Sequence, residues 1–384
     1  MTQSGDSAGG IPIHRGLNGV YFDRTRASFI DGKVGKLLYR GYSIDDLANY
    51  STFEETSYLL LHGRLPSKSE LAAFDAELKA ARAIPPQVLD IIRTIKHAHP
   101  MDVLRTAVSA LGAFDPDNGD SSIPAAIRKG TRLTAQVPVI MMAHHAIRNG
   151  RAPVAPSKTL SHAANMLYML HGAEPTADAA RLMDVDFILH AEHGPNASAF
   201  AARVIIGTQA NLHAAVVGAI AALSGPAHGG AAENVMLMAM EIGRPEDAEA
   251  YVKRLRAEGK RITGFGHRVY RVEDPRAKHL REGVKRLSAE RNEPRWYAVL
   301  EAVVEAMKPL GRHGLYVNVD FYAGVIYYLN GFPPDLFVPI FAAGRVPGWT
   351  AQAVEQLENN ILIRPLTHYV GPMDLPYIPL SQRP

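Results

Sequence analysis

The sequence predicts an all-α protein with one small β-hairpin near its amino terminus, on three observations. Helix-start and helix-stop signals run through most of the 384 residues, strand-like alternation is scarce, and one Asp-Gly dipeptide separates two strand-like runs. The hairpin is read from residues 27–30 and 33–39, which flank Asp31-Gly32, a pair that tolerates the positive φ of a two-residue type I′ turn. Thr52 with Glu55 and Ser67 with Glu70 then have capping-box spacing, in which each side chain can satisfy an otherwise orphaned backbone donor, and Gly63 supplies a stop between the two helices. Pro85-Pro86 opens a third helix, residues 101–113 form a fourth with Leu104, Val108 and Leu111 at helical spacing, and residues 123–148 read as one longer helix. The polar segment 114–122 and the Pro-containing segment 152–158 read as loops between helices.

Composition bounds the function class. Lys and Arg number 41 against 38 Asp and Glu, a formal charge of +3, so charge alone gives no reason to expect a nucleic-acid partner. A hydrophobic fraction of 47% with 21% charged residues is ordinary for a globular chain, and the length allows about two domains. The longest apolar run, residues 214–223, falls short of the ~20 residues a membrane-spanning helix needs. With no cysteine, disulfides, thiolate metal sites and cysteine nucleophiles are all excluded. Residues 1–10 lack the basic and apolar regions of a signal peptide, so a cytoplasmic location is expected, with no membrane partner. Residues 241–295 are more charged than the apolar stretches on either side, and this middle part reads as a second, smaller helical domain inserted into the first.

Five clusters carry residue types suited to chemistry. His190 and His193 lie three apart, close enough on one helix face to share a metal ion, but the helical Glu-x-x-His and His-Glu-x-x-His contexts are missing, leaving backbone-satisfied or ligand-binding histidines as the other readings. His228 stands in GPAHGG (225–230), where glycines let backbone approach a ligand, and core packing is the competing reading. His267 lies in GFGHRVYRVEDPR (264–276), which gathers Arg268, Arg271 and Arg276 beside glycine-flanked backbone and suits phosphates or carboxylates; a solvated basic helix start is the alternative. Asp320, within LYVNVDFYAG (315–324), is a carboxylate among apolar residues, costly unless paired or used, and therefore the general-base candidate by environment. The same position equally suits an N-cap for a helix over 321–329. Arg345 and Arg364 complete, with Arg271 and Arg276, a set of arginines able to bind carboxylates bidentately.

Taken in order, HPMDVLRTA (99–107), AEHGPNAS (191–198), GPAHGG, GFGHRVYRVEDPR, NVDFYAG (318–324) and ILIRPL (361–366) resemble the citrate synthase family, over residues 14–377. The resemblance implies an almost wholly helical homodimer that condenses acetyl-CoA with oxaloacetate and water, with no metal and no redox cofactor. It implies a large domain of residues 1–228 and 335–384, for dimerisation and oxaloacetate, and a small domain of residues 229–334, for CoA and the base, the two closing over the substrates. By resemblance Asp320 removes a proton from the acetyl-CoA methyl group, His228 donates to the thioester oxygen, and His267 polarises the keto oxygen of oxaloacetate. His193, Arg276 and Arg345 resemble binders of the oxaloacetate carboxylates, and Arg364 a binder reaching in from the partner subunit. Arg271 resembles a CoA-phosphate contact, and the backbone around Gly264 and Gly266 the adenine-binding stretch.

The chemistry suits these residue types, because a carbon acid needs a carboxylate base matched to a hydrogen-bond donor at the developing enolate oxygen. Three departures stand out. Ala232 takes the place of an asparagine that many family members carry, the interval from Arg345 to Arg364 is one residue shorter than in some bacterial members, and the long amino-terminal extension of the NADH-inhibited hexameric type is absent. The short dimeric form is expected. The competing readings are a 2-methylcitrate synthase using propionyl-CoA with the same residues, a non-catalytic CoA- or citrate-binding relative, and a metal-dependent hydrolase built on His190 and His193.

Overall fold

The computed structural model describes residues 7–8, 11–17 and 19–384, so most of the segment 1–10 read above for a signal peptide lies outside the described residues. Two compact units make up the chain. One joins Met1–Thr25 to Leu362–Pro384 and contains an antiparallel pair, β1 (Ser7–Ala8) with β2 (Ile11–Pro12). Its carboxy-terminal stretch is extended except for a short 3-10 turn, Leu380–Gln382, and exposes Leu366, Tyr369, Val370, Leu375 and Tyr377.

The other unit, Arg26–Ile361, holds the predicted hairpin and all the α-helices among the described residues. Strands β3 (Ser28–Asp31) and β4 (Lys36–Tyr39) pair antiparallel, with a third short strand, β5 (Tyr42–Ser43), on β4. The expected two-residue turn is not what forms. Asp31 pairs with Lys36, so residues 32–35 make a four-residue connection. The reason is tertiary: the carbonyl oxygen of Gly32 accepts from the Arg271 amide (2.7 Å), and a Cβ on Gly32 would lie 2.1 Å from the Val269 carbonyl oxygen. Gly32 is needed for close approach of another segment rather than for a tight turn.

Helix α1 (Ile44–Tyr50) comes before the first helix read from the sequence, and the next five follow where the signals put them: α2 (Phe53–His62), α3 (Lys68–Ala80), α4 (Pro86–Thr94), α5 (Pro100–Phe114) and α6 (Ile123–Arg148). Ser67 and Glu70 close a full capping box on α3, whereas on α2 Thr52 accepts from the Glu55 amide without the reciprocal bond. Then come α7 (His162–His171), α8 (Ala177–His190), α9 (Ala197–Gly207) and α10 (Leu212–Leu223). Beyond them lie α11 (Ala231–Ile242), α12 (Ala248–Ala257), α13 (Ala277–Glu290), α14 (Pro294–Met307), α15 (Asp320–Leu329) and α16 (Phe337–Glu358). No helix among the described residues is long and apolar enough to cross a membrane.

Helix α16 is buried on nearly all sides, with Trp349 wholly inside, because α2, α6, α8, α9 and α10 all pack on it. Helices α11 to α15 pack mainly among themselves, α11 on α15, α12 on α14 and α13 on both α14 and α15, while α13 also meets α8. Met236 and Met238 of α11 are buried in the core, and Met240 faces out. The carboxylate of Glu355 on α16 gathers the Arg26 amide (2.7 Å), Arg40 (3.2 Å) and Arg203 (3.4 Å), a buried charge made tolerable by several donors.

His162 tests how dry this core is. Its ring lies 4.8 Å from Phe53 and 5.5 Å from Phe187, its Nε2 has no partner among the described residues, and burial pulls its pKa from 6.5 down to about 3. The unfolded chain takes up a proton here below pH 6.5 and the folded chain does not until about 3, so the ring costs stability as pH falls through that window. A His162→Phe variant should therefore gain in Tm over the parent, and the gap should widen from about pH 7 to about pH 5. A difference independent of pH in calorimetry would show that the ring is solvated.

Candidate active site

The first wall of the site is the turn between α8 and α9. Asn196 caps α9, its Oδ1 accepting from the amides of Ser198 and Ala199 at 3.1 Å each. The small sheet clamps the turn from one side. Tyr39 on β4 donates its hydroxyl hydrogen to the Leu189 carbonyl (3.1 Å) and accepts from the Glu192 amide (3.2 Å), with burial pushing the phenol up to about 12. Ser28 on β3 donates to Glu192 Oε1 (2.9 Å) and accepts from the Gly194 amide (3.1 Å), while Gln352 of α16 donates to the same Glu192 oxygen (2.8 Å). Between these anchors stands His193, its Nε2 3.1 Å from the Tyr270 hydroxyl and its ring 5.1 Å from that of His267.

His228 is held by the start of α9. Its Nε2 accepts from the Ser198 amide (3.3 Å), and the Ser198 hydroxyl lies 2.9 Å from the same nitrogen, donates to Asn196 Oδ1 (2.8 Å) and accepts from Trp349 Nε1 (3.0 Å). A backbone amide can only donate, so Nε2 is an acceptor and the hydrogen of the neutral ring sits on Nδ1. Burial, followed by the charge of Arg345, takes the His228 pKa down to about 4, so the ring is neutral at physiological pH.

The other wall comes from two segments locked together. Gly266 donates its amide to the Tyr316 carbonyl (2.7 Å), Asn318 donates its amide to the Gly264 carbonyl (2.9 Å), and Phe265 bridges Val317 antiparallel. Asn318 Nδ2 adds a bond to the Gly266 carbonyl (3.1 Å), and Asn318 Oδ1 accepts the Asp320 amide (3.2 Å). His267 and Asp320 are thus tied to one backbone ladder. His267 Nδ1 accepts from the amides of Val269 (3.0 Å) and Tyr270 (3.1 Å), which leaves Nε2 as its N–H. Burial and then the charge of Arg276 bring the His267 pKa down to about 4.

Asp320 opens α15 but does not cap it; Val319 is the N-cap and the Asp320 carboxylate accepts no hydrogen bond among the described residues. The N-cap reading is therefore set aside, since Asn318 has taken the local capping bond. Burial raises the Asp320 pKa, with His190, Arg276 and Arg345 pulling against it. Arg276 is gripped bidentately by Asp274, Nε to Oδ1 at 2.9 Å and Nη2 to Oδ2 at 2.7 Å, and its Nη1 donates to the Leu189 carbonyl (3.5 Å), which together fix the guanidinium. Arg345 lies over the Phe341 ring at 4.6 Å and donates from Nε to the His190 carbonyl. Burial lowers its pKa to about 10, with Glu192 opposing, so it stays charged at neutral pH.

The structure thus brings together His193, His228, His267, Asp320, Arg276 and Arg345. The paired-histidine metal reading fails on orientation, for His190 Nδ1 is turned to Asp186 while His193 Nε2 meets Tyr270. Among the described residues no group of three or more His, Asp or Glu is placed to hold a metal ion. Arg271 is exposed and unpaired by any ion pair among the described residues, and Arg364 is exposed in the unit containing Leu362–Pro384. Sequence reasoning missed Ser198, Tyr270, Asp274, Trp349 and the sheet residues Ser28 and Tyr39. Ser198, Tyr270 and Asp274 lie inside quoted motifs, but their roles depend on contacts from remote segments.

Residues 16–366 match the family model described as citrate synthase, C-terminal domain. The chain belongs to the citrate synthase family. It is 44% identical over 97% of its length to the citrate synthase of Deinococcus radiodurans, covering 99% of that protein. It is also 41% identical over 94% of its length to the 2-methylcitrate synthase of Mycobacterium tuberculosis, covering 91% of it. Among solved structures, the citrate synthase of Pyrobaculum aerophilum superposes with a TM-score of 0.95 at 41% identity, covering 100% of this chain and 98% of that one. The citrate synthase of Thermoplasma acidophilum, in ternary complex with carboxymethyl coenzyme A and oxaloacetate, gives 0.91 at 31% identity, with 97% of this chain and 99% of that one covered.

Gly264 carries the ladder that joins His267 to Asp320. Its φ is +84°, and a Cβ would lie 2.5 Å from Phe321 Cδ2 and 2.9 Å from Val235 Cγ2. Gly264→Ala should cost about 1–3 kcal/mol in denaturant unfolding and reduce turnover more than the lost stability explains. Unchanged stability and turnover together would show that the ladder does not fix the site.

Proposed function

We propose that this chain condenses acetyl-CoA with oxaloacetate and water to give citrate and CoA. The carrying observation is one carboxylate without a hydrogen-bond donor, Asp320, in a site with two neutral imidazoles whose remaining N–H groups are fixed by backbone donors, His228 Nδ1–H and His267 Nε2–H. Asp320 takes a proton from the methyl group of acetyl-CoA while His228 Nδ1–H stabilises charge growing on the thioester oxygen. The enol carbon then forms a bond to the keto carbon of oxaloacetate, whose oxygen accepts from His267 Nε2–H. Water cleaves the resulting citryl thioester and releases CoA.

Arg276, Arg345 and His193 bind the two carboxylates of oxaloacetate in this reading. Buried, permanently charged guanidinium groups match a dianion, and substrate binding relieves the charge they concentrate. Arg271 and the backbone at Gly264 and Gly266 serve CoA, for which an exposed guanidinium and side-chain-free backbone are suited. Residues 229–334 act as a small domain closing on residues 1–228 and 335–384, supported by the origin of the site residues on both stretches. No metal or redox cofactor takes part.

The chain works as a homodimer in which Arg364 completes the partner subunit's site. Support comes from the exposed apolar side chains along Leu362–Pro384, which a second copy would cover. A cytoplasmic location fits a substrate carried on coenzyme A. Propionyl-CoA is a second substrate to test, because a 2-methylcitrate synthase is nearly as similar and one methylene changes discrimination by only about 1–3 kcal/mol.

Two measurements check the reading. Release of CoA thiol from purified protein with oxaloacetate and EDTA should be faster with acetyl-CoA than with propionyl-CoA; the reverse order would make it a 2-methylcitrate synthase, and no turnover from folded protein a binding protein. Asp320→Asn should lose roughly 10² to 10⁴ in rate while oxaloacetate binding, followed by calorimetry, persists. Near-normal turnover in that variant would refute the assigned base.

A further inference from the structure

The mechanism above gives Tyr270 no part, yet this residue touches both histidines assigned to oxaloacetate. Its side chain is buried. The Tyr270 amide donates to His267 Nδ1 (3.1 Å), and its ring lies 4.7 Å from the His267 ring, tilted by 37°. The Tyr270 hydroxyl lies 3.1 Å from His193 Nε2, with those two rings 5.5 Å apart. Its neighbours hold it in place. Val269 donates its amide to the same His267 nitrogen (3.0 Å), and Arg271 donates its amide to the Gly32 carbonyl at the tip of the β3–β4 hairpin (2.7 Å). With three successive amides engaged, the side chain of the middle residue has little freedom to drift.

The direction of the bond to His193 follows from what each partner can do. The Tyr270 hydroxyl has no other hydrogen-bond partner among the described residues, and a buried hydroxyl hydrogen without an acceptor costs free energy. Burial pushes the phenol pKa up, with Arg276 opposing, so the group keeps its hydrogen at every ordinary pH and donates it. His193 Nε2 is then the acceptor. Burial, followed by the charge of Arg276, lowers the His193 pKa well below 6.5, so the ring is neutral and its single hydrogen sits on Nδ1. In a site for a dianion the place of that hydrogen matters, because a neutral ring that faces a carboxylate with its lone pair repels it.

We propose that Tyr270 is a positioning residue for oxaloacetate, its hydroxyl fixing the His193 ring and keeping the hydrogen on Nδ1 for a substrate carboxylate. The proposal rests on the reading of His193 as an oxaloacetate binder. One residue sets two tautomers: its hydroxyl leaves the hydrogen of His193 on Nδ1, and its amide leaves that of His267 on Nε2. The hydroxyl also reaches from the segment 264–276 to the turn between α8 and α9, so His193 is oriented only when that segment is seated. The bond to His193 needs only the phenolic oxygen, whereas the bond to His267 comes from the backbone, and a substitution can therefore separate the two roles.

The test uses the whole chain. Tyr270→Phe removes the hydroxyl and keeps the ring and the amide bonds to His267. Affinity for oxaloacetate, from calorimetry, should fall about tenfold and the KM for oxaloacetate should rise with it, while kcat and the KM for acetyl-CoA each stay within about threefold. General loosening of 264–276 would move kcat and the acetyl-CoA KM as well, since that segment carries His267. His193→Ala and the pair of substitutions together complete a cycle, in which Tyr270→Phe should change oxaloacetate affinity by less than about twofold once His193 is gone. Nitrogen NMR of the parent protein with isotope-labelled histidine, the His193 signal being identified by its loss in His193→Ala, should show a hydrogen on Nδ1 and none on Nε2.

Unchanged oxaloacetate affinity in folded Tyr270→Phe, with affinity lost in His193→Ala, would overturn the proposal alone. So would an equal loss from Tyr270→Phe with and without His193, which would make the hydroxyl a direct ligand contact, and so would a loss spread over kcat and the acetyl-CoA KM. If Tyr270→Phe does not fold, the NMR measurement decides, and a hydrogen on His193 Nε2 defeats the assignment. Parent-like oxaloacetate binding in His193→Ala defeats instead the reading of His193, and the role of Tyr270 falls with it.

Discussion

Two guanidinium groups held away from water, those of Arg276 and Arg345, set the conditions for everything around them. Each is almost fully buried, at 3% and 1% exposure, and neither can shed its charge at neutral pH. A buried positive charge makes every nearby imidazole harder to protonate, and His193, His228 and His267 all have depressed pKa values with burial first and these arginines among the causes. The same field partly offsets the burial that raises Asp320. Neutral imidazole donors, and a carboxylate whose rise in pKa the same cations oppose, therefore coexist beside two buried guanidinium groups. Asp274 and Glu192 repay only part of that cost, which is why a dianionic ligand is the natural complement.

The scaffolding around this charge is made of short, directional bonds rather than bulk. Ser28 and Tyr39, on a sheet of three short strands, fix the turn that carries His193. Trp349, in the middle of the most deeply buried helix, reaches His228 through Ser198. The hydrophobic core thus bears on the placing of the His228 ring through one hydroxyl group. A site whose hydrogens must sit on particular nitrogens needs such fixed acceptors and donors, and loops alone would not hold them.

Much of this was legible in the sequence, for reasons that differ by element. Helices α3 and α4 announce themselves through local chemistry, the Ser67–Glu70 box and the Pro86 start, and local chemistry is what a sequence displays. The hairpin turn was misread because the Val269 segment, more than two hundred residues away, decides the shape of the loop at Gly32. Asp320 was legible as a costly carboxylate but ambiguous as an N-cap, and only the bond from its own amide to Asn318 removes the ambiguity. His190 was visible, and Asp186 stands one turn before it on α8, but the Tyr327 hydroxyl that bonds Asp186 comes from α15, and no spacing rule joins it to them.

The ladder between residues 264–266 and 316–318 has a mechanical consequence. His267 follows one of its strands directly and Asp320 the other, so backbone bonds hold the two residues as a single lever arm. His228 is fastened elsewhere, to Ser198, whereas His193 meets the His267 segment through the Tyr270 hydroxyl. Any displacement of the ladder against α16 carries Asp320 and His267 through the same arc, so on the proposed reading the proton acceptor and the carbonyl polariser come to bear on a substrate together. Timing of the two chemical events is in this sense built into the covalent and hydrogen-bonded path of the chain, and needs no separate signal between them.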